Sequence, residues 1–468
     1  MGERRQRIEV NLNNIMQLLT DFLQPGKVIF RKKEYGPEII TAGVDSVARY
    51  LKDNLVSDSP FVYLFATNHI KTVFSYFGII KARRICVIMD PKIGKFELNE
   101  MLLDTPPAAC IRIDKATETF DFGREIEIRN PPWKNDSGED LSDVCTMIYT
   151  AADDGYAKAV MLTHENLLAN ARAIAEGMGL SEKTISCALM QFSHLFAIQV
   201  GMISPFLVRG GIFIEDNSDI KNISCFADQI DKVGITNFYS VPIIYFLLSK
   251  VNTISEQVKK VHTFVSGGYK LPENIFQRFF KKTNYEIHEG YGLSEASPVG
   301  TCHRPGDKIR ILSVGRSVPC CKVKIMVNGG LENPIKQQGE ICIRGTNVMK
   351  GYYRHPDATK SVLAGGWLHT GDLGYMDKDG FVYFTGQKKR MINYGGMKVY
   401  PAEVERLLKM NNNALEAEVF GKDDKLSGQS VNAKIRLENN TKTAQDDLIK
   451  WCRGNFSDYK IPSKVEFI

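Results

Sequence analysis

The segment EGYGLSE, from Glu289 to Glu295, brings an aromatic ring, a carboxylate and two glycines close together. Tyr291 stands between Gly290 and Gly292, an arrangement that would let its ring stack on a planar group. Glu295 follows four residues later, and a carboxylate oxygen is a ligand that a divalent cation accepts. The same letters are also typical of a plain turn, because glycine adopts turn conformations readily. Taken alone, the segment leaves both interpretations open.

Three further segments carry groups suited to binding. Asp372 lies in the Thr-Gly-Asp corner of WLHTGDLGYMDKDGFVYFTG, where its carboxylate could accept both hydroxyls of a ribose. The run Ser266–Gly268 follows a predicted strand, and α/β sheets place their ligands beyond the carboxyl ends of strands. A lysine-rich, hinge-like stretch begins at Gln387 and leads to Gly395 and Gly396, directly before a predicted helix.

The elements that must position these residues show two patterns of predicted secondary structure. Up to about Arg304, short apolar strands such as FVYLFA and ICVIMD alternate with helical segments, which predicts layered α/β structure with parallel strands. Between Arg304 and Ala402 the strands are closely spaced and no helix is predicted, which favours an antiparallel barrel or curved sheet. A small unit of strands and two helices follows the lysine-rich joint. The alternative to a hinge at this joint is an ordinary surface turn.

Composition sets outer bounds on the function. The chain has 468 residues, of which 43% are hydrophobic and 24% charged, so it has ample material for a core and is neither a disordered nor a fibrous protein. Its net charge of +6 is scattered, and no nucleic-acid partner is expected. The apolar runs are too short for a transmembrane segment. Ten cysteines that are widely spaced, except for the adjacent Cys320 and Cys321, form no C-x-x-C pair, and the N-terminus has no apolar signal region; both features favour a cytoplasmic protein.

In their order and spacing, the four segments resemble the adenylate-forming superfamily of acyl-CoA synthetases, luciferases and peptide-synthetase adenylation domains. MLTHENL, GYGLSE, HTGDLGYMDKDGF and KVYPAEVE are closest to acyl- and aryl-CoA ligases. The resemblance implies an N-terminal AMP-binding body at 1–386 and a small, mobile α+β domain at 387–468. It also implies activation of a small carboxylic acid with ATP and Mg²⁺ to acyl-AMP, followed by transfer to CoA or to the phosphopantetheine of a carrier protein.

The resemblance assigns roles residue by residue. Tyr291, between Gly290 and Gly292, would stack on adenine, Glu295 would help to bind Mg²⁺, and Asp372 would hold the ribose. The other assigned positions are Ser266, Gly267 and Gly268 beside the adenine and acyl groups, His194 at the pocket wall, Lys158 among the catalytic residues, and Gly395 and Gly396 along the path of CoA.

His194, in MQFSHLFA, also bears on the substrate. Amino-acid-activating relatives carry an aspartate in this segment, and its absence here favours an acid without an α-amino group. The alternative is a histidine that simply satisfies hydrogen bonds at a helix start.

The phosphate-binding loop departs from the family pattern. Thr150, Gly155 and Lys158 keep the family's residue types, whereas a serine, a glycine and two threonines are replaced, in order, by Ala151, Ala152, Asp153 and Asp154. At about 5 Å and an effective dielectric constant of about 20, each carboxylate–phosphate pair costs on the order of 3 kcal/mol before screening. The change predicts severely weakened ATP binding, unless the two aspartates hold an additional Mg²⁺.

Two further departures from the family pattern also predict weak adenylation. Gln387 stands where the family has an arginine that contacts phosphate or ribose. The sequence ends at DYKIPSKVEFI, before the Gly-Lys pair whose lysine stabilises the adenylation transition state in relatives, and Lys460 and Lys464 lie upstream of that place.

Three functions therefore stay open. The first is an acid–thiol ligase whose adenylation is impaired. The second is a non-catalytic relative that binds an acyl group, AMP or a partner protein. The third is a partial enzyme that forms thioesters from a supplied acyl-AMP.

Overall fold

The computed structural model describes residues 24–468, except 152–154, 217–222, 328–329, 333–334, 389, 412, 425–426 and 439–440. Three residues of the predicted phosphate loop, Ala152, Asp153 and Asp154, thus lie outside the described residues.

The first part of the chain alternates strands and helices, as its sequence predicts. Its elements are β1 (Val28–Phe30), β2 (Lys33–Tyr35), α1 (Pro37–Asn54), β3 (Phe61–Phe65), α2 (Ile70–Lys81), β4 (Ile85–Met89), α3 (Lys95–Asp104), β5 (Ala109–Arg112), α4 (Phe122–Glu125), β6 (Ile126–Ile128), β7 (Val144–Thr150) and β8 (Lys158–Thr163).

The alternation continues to the end of the α/β layers. The elements are α5 (His164–Gly177), β9 (Ile185–Ala188), α6 (Leu195–Ile198), a π-helical turn (Gln199–Ile203), α7 (Ser204–Leu207), β10 (Gly211–Ile214), α8 (Ile223–Val233), β11 (Asn237–Ser240), α9 (Pro242–Leu248), α10 (Ile254–Gln257), β12 (Thr263–Ser266), α11 (Glu273–Thr283), β13 (Ile287–Gly292), a 3-10 turn (Ser294–Ala296) and β14 (Val299–Cys302).

These strands form two sheets. The nine-stranded sheet has the order β15-β14-β13-β12-β11-β9-β10-β1-β2, where β15 is Arg316–Ser317, and its six strands from β13 to β1 run parallel. The seven-stranded sheet has the order β19-β8-β7-β4-β3-β5-β6, where β19 is Gly351–Tyr352, and four parallel strands lie at its centre. Strands such as β3 are buried along their whole length, which explains their unbroken apolar sequences.

The next part of the chain is mostly antiparallel. Besides β15 and β19, it contains β16 (Cys321–Val327), β17 (Gly330–Glu332), β18 (Gly339–Gly345), α12 (Pro356–Val362), a 3-10 turn (Ala364–Gly366), β20 (Leu368–Met376) and β21 (Val382–Gln387). Five of its strands form an antiparallel sheet of order β17-β16-β18-β20-β21.

The prediction that no helix lies between Arg304 and Ala402 is wrong, because α12 lies there. Pro356 at its first turn has a backbone conformation suited to starting a helix. None of the residues of α12 is buried, so the helix has no apolar periodicity by which the sequence could signal it.

The C-terminal domain has its own sheet and core. Its elements are β22 (Ile392–Tyr394), β23 (Met397–Val399), α13 (Pro401–Lys409), β24 (Ala414–Asp424), β25 (Gly428–Leu437), α14 (Lys442–Asn455), a 3-10 turn (Asp458–Lys460) and β26 (Lys464–Phe467). The sheet order is β23-β22-β25-β24, with β26 parallel to β25. Strand β21 ends at Gln387, and β22 begins at Ile392. The domain boundary at Gln387 stays a prediction.

Two global features bear on the expectations from composition. In the described part of the chain, no helix combines the length and the apolar character needed to cross a membrane. None of the ten cysteines, all of which are among the described residues, forms a disulfide, and most are buried.

Candidate functional site

A cavity of about 620 Å³ lies between the body and the C-terminal domain. Its walls come from the carboxyl ends of β11–β13, from α5 and α6, and from the β22–β23 hairpin. It brings together ten of the predicted site residues: Thr150, Ala151, His194, Gly267, Gly268, Gly290, Tyr291, Gly292, Gly395 and Gly396.

Sheet topology explains why the glycine segments meet. Strands β12 and β13 are parallel neighbours, with Ser266 opposite Glu289, so the residues that follow each strand emerge at the same edge. Gly268 has a φ of +84°, a conformation that favours glycine. Ser266 itself is fully buried in β12 and does not line the cavity, and its hydroxyl has no hydrogen-bond partner among the described residues.

Asp372 is the centre of a hydrogen-bonded group behind the cavity wall. The Tyr291 hydroxyl donates to its Oδ2 at 2.7 Å and the Gln387 amide donates to its Oδ1 at 2.9 Å. Burial raises the pKa of Tyr291 well above its usual value, so the phenol stays protonated as a donor. The Tyr291 ring also stacks on Phe384, with centroids 6.3 Å apart. Gln387, singled out because it replaces an arginine, therefore holds the carboxylate without adding a charge.

Lys398 is a candidate functional residue that sequence reasoning missed. It lies on β23 and lines the cavity. Burial alone would lower the pKa of its ammonium group, but the nearby carboxylates of Asp372 and Glu295 raise the pKa above its usual value. Glu295 is buried and accepts a hydrogen bond from the Tyr352 hydroxyl at 2.8 Å. A lysine just after a glycine pair was the available signal, although lysine is common near turns.

The β22–β23 hairpin rests on the glycine turn of the body. The Asn393 amide donates to the Gly268 carbonyl at 3.3 Å, and the Gly396 N–H donates to Asn393 Oδ1 at 3.0 Å. Gly395 and Gly396 have φ values of +60° and +95°. A Cβ added to Gly396 would stand 3.8 Å from the Gly268 Cα, so these two stretches of backbone lie close to each other.

His194 stands at the start of α6, where the sequence predicted a helix start, and its ring lines the cavity. Burial lowers the pKa of the imidazole, although Asp90 opposes the effect. His194 is therefore uncharged at neutral pH.

The two flanks of the predicted phosphate loop form an antiparallel pair, with Thr150 opposite Lys158. Thr150 lines the cavity, whereas Lys158 is buried on β8 and does not. Gly155 has a φ of +83°, and its carbonyl accepts a hydrogen bond from Arg406 Nε at 2.9 Å. The loop is thus attached to α13 of the C-terminal domain.

The carboxylates and hydroxyls of this site decide which parts of a nucleotide it can bind. A buried carboxylate can accept about four hydrogen bonds. Asp372 uses two oxygens for two donors, which leaves capacity for a ribose diol. A single carboxylate such as Glu295 suits Mg²⁺ that also binds phosphate oxygens. In the described flanks of the loop, 150–151 and 155–158, Thr150 carries the one serine- or threonine-type hydroxyl, a poor set for a triphosphate.

Comparison with known proteins agrees with this geometry. Residues 40–353 match the AMP-binding enzyme family, and residues 403–468 match the AMP-binding enzyme C-terminal domain. A long-chain-fatty-acid–CoA ligase of Bacillus subtilis (strain 168) is 29% identical, with 94% of this chain and 87% of that protein covered. A long-chain-fatty-acid–CoA ligase of Escherichia coli O6:H1 (strain CFT073) is 30% identical, with 69% of this chain and 58% of that protein covered.

Solved structures share the fold over nearly the whole chain. A double mutant of o-succinylbenzoate CoA synthetase from Bacillus subtilis has a TM-score of 0.82 at 21% identity, covering 97% of this chain and 94% of that chain. The amide bond synthetase McbA from Marinactinospora thermotolerans has a TM-score of 0.84 at 19% identity, covering 97% and 95%. The two family matches establish that this chain belongs to the AMP-binding enzymes of the adenylate-forming superfamily.

Proposed function

We propose that this protein holds an acyl-adenylate and transfers its acyl group to a thiol, that of CoA or of a carrier protein's phosphopantetheine. Formation of the adenylate from ATP is the weak half of its chemistry. The arrangement of the C-terminal domain carries the proposal: its glycine hairpin lies on Gly268, and Lys398 reaches the cavity beside Asp372 and Glu295.

The nucleoside half of an acyl-adenylate finds matching groups in the cavity wall and directly behind it. Tyr291 offers an aromatic face, and Asp372 is the carboxylate suited to the ribose hydroxyls. The Lys398 ammonium lies near both carboxylates and remains positively charged. It would stabilise the negative charge that develops on the phosphate when AMP leaves.

Thiol transfer needs an open path and a place for one proton. The thiol sulfur bonds to the acyl carbonyl carbon, the bond from that carbon to the phosphate oxygen breaks, and AMP leaves as the anion. The hairpin glycines, Gly395 and Gly396, leave room for a thin pantetheine arm. His194 lines the same cavity in its uncharged form, and we assign its imidazole nitrogen as the acceptor of the thiol proton.

The acyl group that fits is apolar. One wall of the cavity is built from small and aliphatic residues of α5 and its neighbours, namely Ala173, Ile174, Gly177, Met178, Val200, Val299 and Val318. Such a wall favours a hydrocarbon chain over a polar or zwitterionic acid. The two relatives named above are long-chain-fatty-acid–CoA ligases, which supports the same substrate class.

Weak adenylation follows from the loop chemistry. Ala151 lines the cavity without a hydroxyl, and the sequence places Asp153 and Asp154 where relatives carry threonines. Each carboxylate would repel a triphosphate by an amount on the order of 3 kcal/mol. An acyl-adenylate has one phosphate and escapes most of this repulsion.

The test compares two substrates for one product. Purified protein receives either dodecanoyl-AMP with CoA, or dodecanoic acid with ATP, Mg²⁺ and CoA, and acyl-CoA is measured by mass spectrometry. We expect thioester formation to be at least about 100-fold faster from the adenylate, the difference that one carboxylate–phosphate repulsion supplies. The variant Asp372→Ala should lose this activity. Absence of thioester with a panel of acyl-AMPs would overturn the proposal.

A non-catalytic acyl-AMP binder is the second candidate, and the loss of loop hydroxyls favours it. Calorimetry separates the two functions. Tight binding of dodecanoyl-AMP without turnover in the presence of CoA would identify a binding protein, whereas turnover would exclude that alternative.

A further inference from the structure

Helix α3 of the body carries two glutamates that pair with cations of the C-terminal domain. Glu97 contacts Lys460, and Glu100 binds Arg406 through two hydrogen bonds of 2.6 and 2.9 Å. The ring of Phe96 on the same helix lies 5.5 Å from that of Trp451 on α14. This helix is therefore a docking element for the C-terminal domain.

Lys460 is held between two buried carboxylates. Its Nζ lies 2.5 Å from Glu97 Oε1 and 2.6 Å from Glu403 Oε1. The three side chains are between 2% and 4% exposed. Glu97 belongs to the body, whereas Lys460 and Glu403 belong to the C-terminal domain, so this ionic cluster crosses the domain interface.

The second carboxylate oxygen of Glu97 is also satisfied from across the interface. Its Oε2 accepts hydrogen bonds from the Ser457 N–H at 2.9 Å and from the Ser457 hydroxyl at 2.7 Å. That hydroxyl in turn accepts one from the Gly94 N–H at 3.1 Å. A Cβ on Gly94 would stand 2.5 Å from the Asn455 carbonyl oxygen, so the two domains are in close contact at this point.

A buried ion pair adds little net stability, but leaving one of its charges buried without the other is costly. Burial would raise the pKa of Glu97, but Lys460 and Ser457 lower it, so this carboxylate is ionised. Burial raises the pKa of Glu403, against the effect of Lys460. A packed orientation of the C-terminal domain that separated Glu97 from Lys460 would leave a buried carboxylate without its cation. Such an orientation is strongly disfavoured.

The cluster also borders the cavity. Glu97, Ser457 and Lys460 line it together with His194 and Gly268. Docking at α3 therefore closes one part of the wall, while the β22–β23 hairpin closes another.

We propose that Glu97, Lys460 and Glu403 form an interdomain latch that holds the β22–β23 hairpin on Gly268, the orientation used for thiol transfer. The three are positioning residues, because they act through the placement of the hairpin and of Lys398. This inference rests on the proposed function for its catalytic meaning, while the latch itself concerns the orientation of the domain.

The central variant is Glu97→Gln, which removes the Glu97–Lys460 ion pair, keeps the Glu100–Arg406 pair and leaves Lys460 paired with Glu403 inside its own domain. Orientation is followed by acrylamide quenching of Trp451 in a chain that also carries Trp133→Phe and Trp367→Phe. Release from Phe96 should raise the quenching constant about 3-fold, because an exposed indole meets the quencher more often. Glu34→Gln, which breaks the exposed Lys27–Glu34 pair of 2.9 Å, is the matched control and should leave quenching unchanged.

The second readout is thioester formation from dodecanoyl-AMP and CoA. Glu97→Gln should lower kcat about 10-fold while KM for the adenylate changes less than 2-fold, because the nucleoside site lies on the body. Glu97→Asp should recover part of the loss. Ser457→Ala, which keeps every charge, should move both readouts in the same direction by less, and it tests the latch even if Glu97→Gln fails to fold.

Each outcome bears on one claim. Wild-type quenching in both Glu97→Gln and Ser457→Ala would overturn the latch. If the wild-type protein makes no thioester from any acyl-AMP, the proposed function fails, and the quenching data still decide whether the latch exists.

Discussion

The nucleoside side of the cavity and the predicted phosphate loop differ in the hydrogen-bonding and charged groups that they can offer to a nucleotide. On the nucleoside side, Tyr291 and Gln387 both donate to Asp372, and Lys398 adds a positive charge nearby. The loop side has Ala151 at the wall, and its Gly155 carbonyl is bound to Arg406.

The difference indicates that the two half-reactions of the family place separate demands on the site. A ribose and a single phosphate require a buried acceptor and a cation, which this chain keeps. A triphosphate requires several hydroxyls and N–H groups around it, and the described flanks of the loop provide few of them. We therefore propose that thiol transfer persists in this site although adenylation is weak.

Restoring the loop should produce the largest effect. In Asp153→Thr with Asp154→Thr, two carboxylates are replaced by hydroxyl donors. Removal of a single repulsion on the order of 3 kcal/mol corresponds to about 100-fold tighter ATP binding. Calorimetry with ATP and Mg²⁺ measures the gain, and AMP binding should change less than 3-fold. Weaker ATP binding in the variant would instead support a Mg²⁺ held by the two aspartates.

Removing the Lys398 charge from the nucleoside side should produce the second-largest effect. Lys398→Met removes the charge that would stabilise the leaving phosphate, and we expect kcat for thioester formation from dodecanoyl-AMP to fall about 10- to 50-fold, a loss of roughly 1.4 to 2.3 kcal/mol. Lys322→Met, at an exposed position on β16, should leave the rate unchanged. A rate equal to wild type in Lys398→Met would remove this lysine from the mechanism.

Narrowing the path at the hairpin should produce a smaller effect. Gly396→Ala adds a methyl group 3.7 Å from a Val241 methyl, at a backbone φ of +95°. KM for CoA should rise about 5-fold while AMP binding stays the same. Gly380→Ala is the matched control, because Gly380 has a φ of +81° but no heavy atom within 4 Å of an added Cβ. Equal effects of both variants would mean that backbone strain alone is responsible.

Sequence reasoning selected the turn at Ser266–Gly268 because it follows a strand, where α/β sheets place their ligands, and the segment around Tyr291 because two glycines flank an aromatic ring. It did not find Lys398 or the pairing of Glu97 with Lys460. The latter pair is 363 residues apart in sequence and meets through the docking of two domains, which no local pattern encodes.

The last prediction concerns stability rather than activity, and it involves a carboxyl group on the nucleoside side. Glu289, directly before Gly290, is buried and accepts a hydrogen bond from the Leu271 N–H at 2.9 Å. Burial raises its pKa from 4.5 to about 8. This side of the cavity thus keeps a carboxyl group neutral at pH 7.

The raised pKa makes stability depend on pH in a definite direction. Between about pH 4.5 and pH 8 the folded protein keeps a proton on Glu289 that the unfolded chain loses, so the free energy of unfolding falls by up to about 1.4 kcal/mol per pH unit. Glu289→Gln removes this contribution, and its neutral amide can still accept from Leu271. Urea unfolding should show the variant more stable than wild type at pH 8.5, with the gap closing toward pH 5. Glu286→Gln, three residues earlier and exposed, should follow the wild-type pH curve. A parallel curve for Glu289→Gln would show that Glu289 is ionised in the folded protein, and the electrostatic contrast between the two sides of the cavity would then be smaller than we infer.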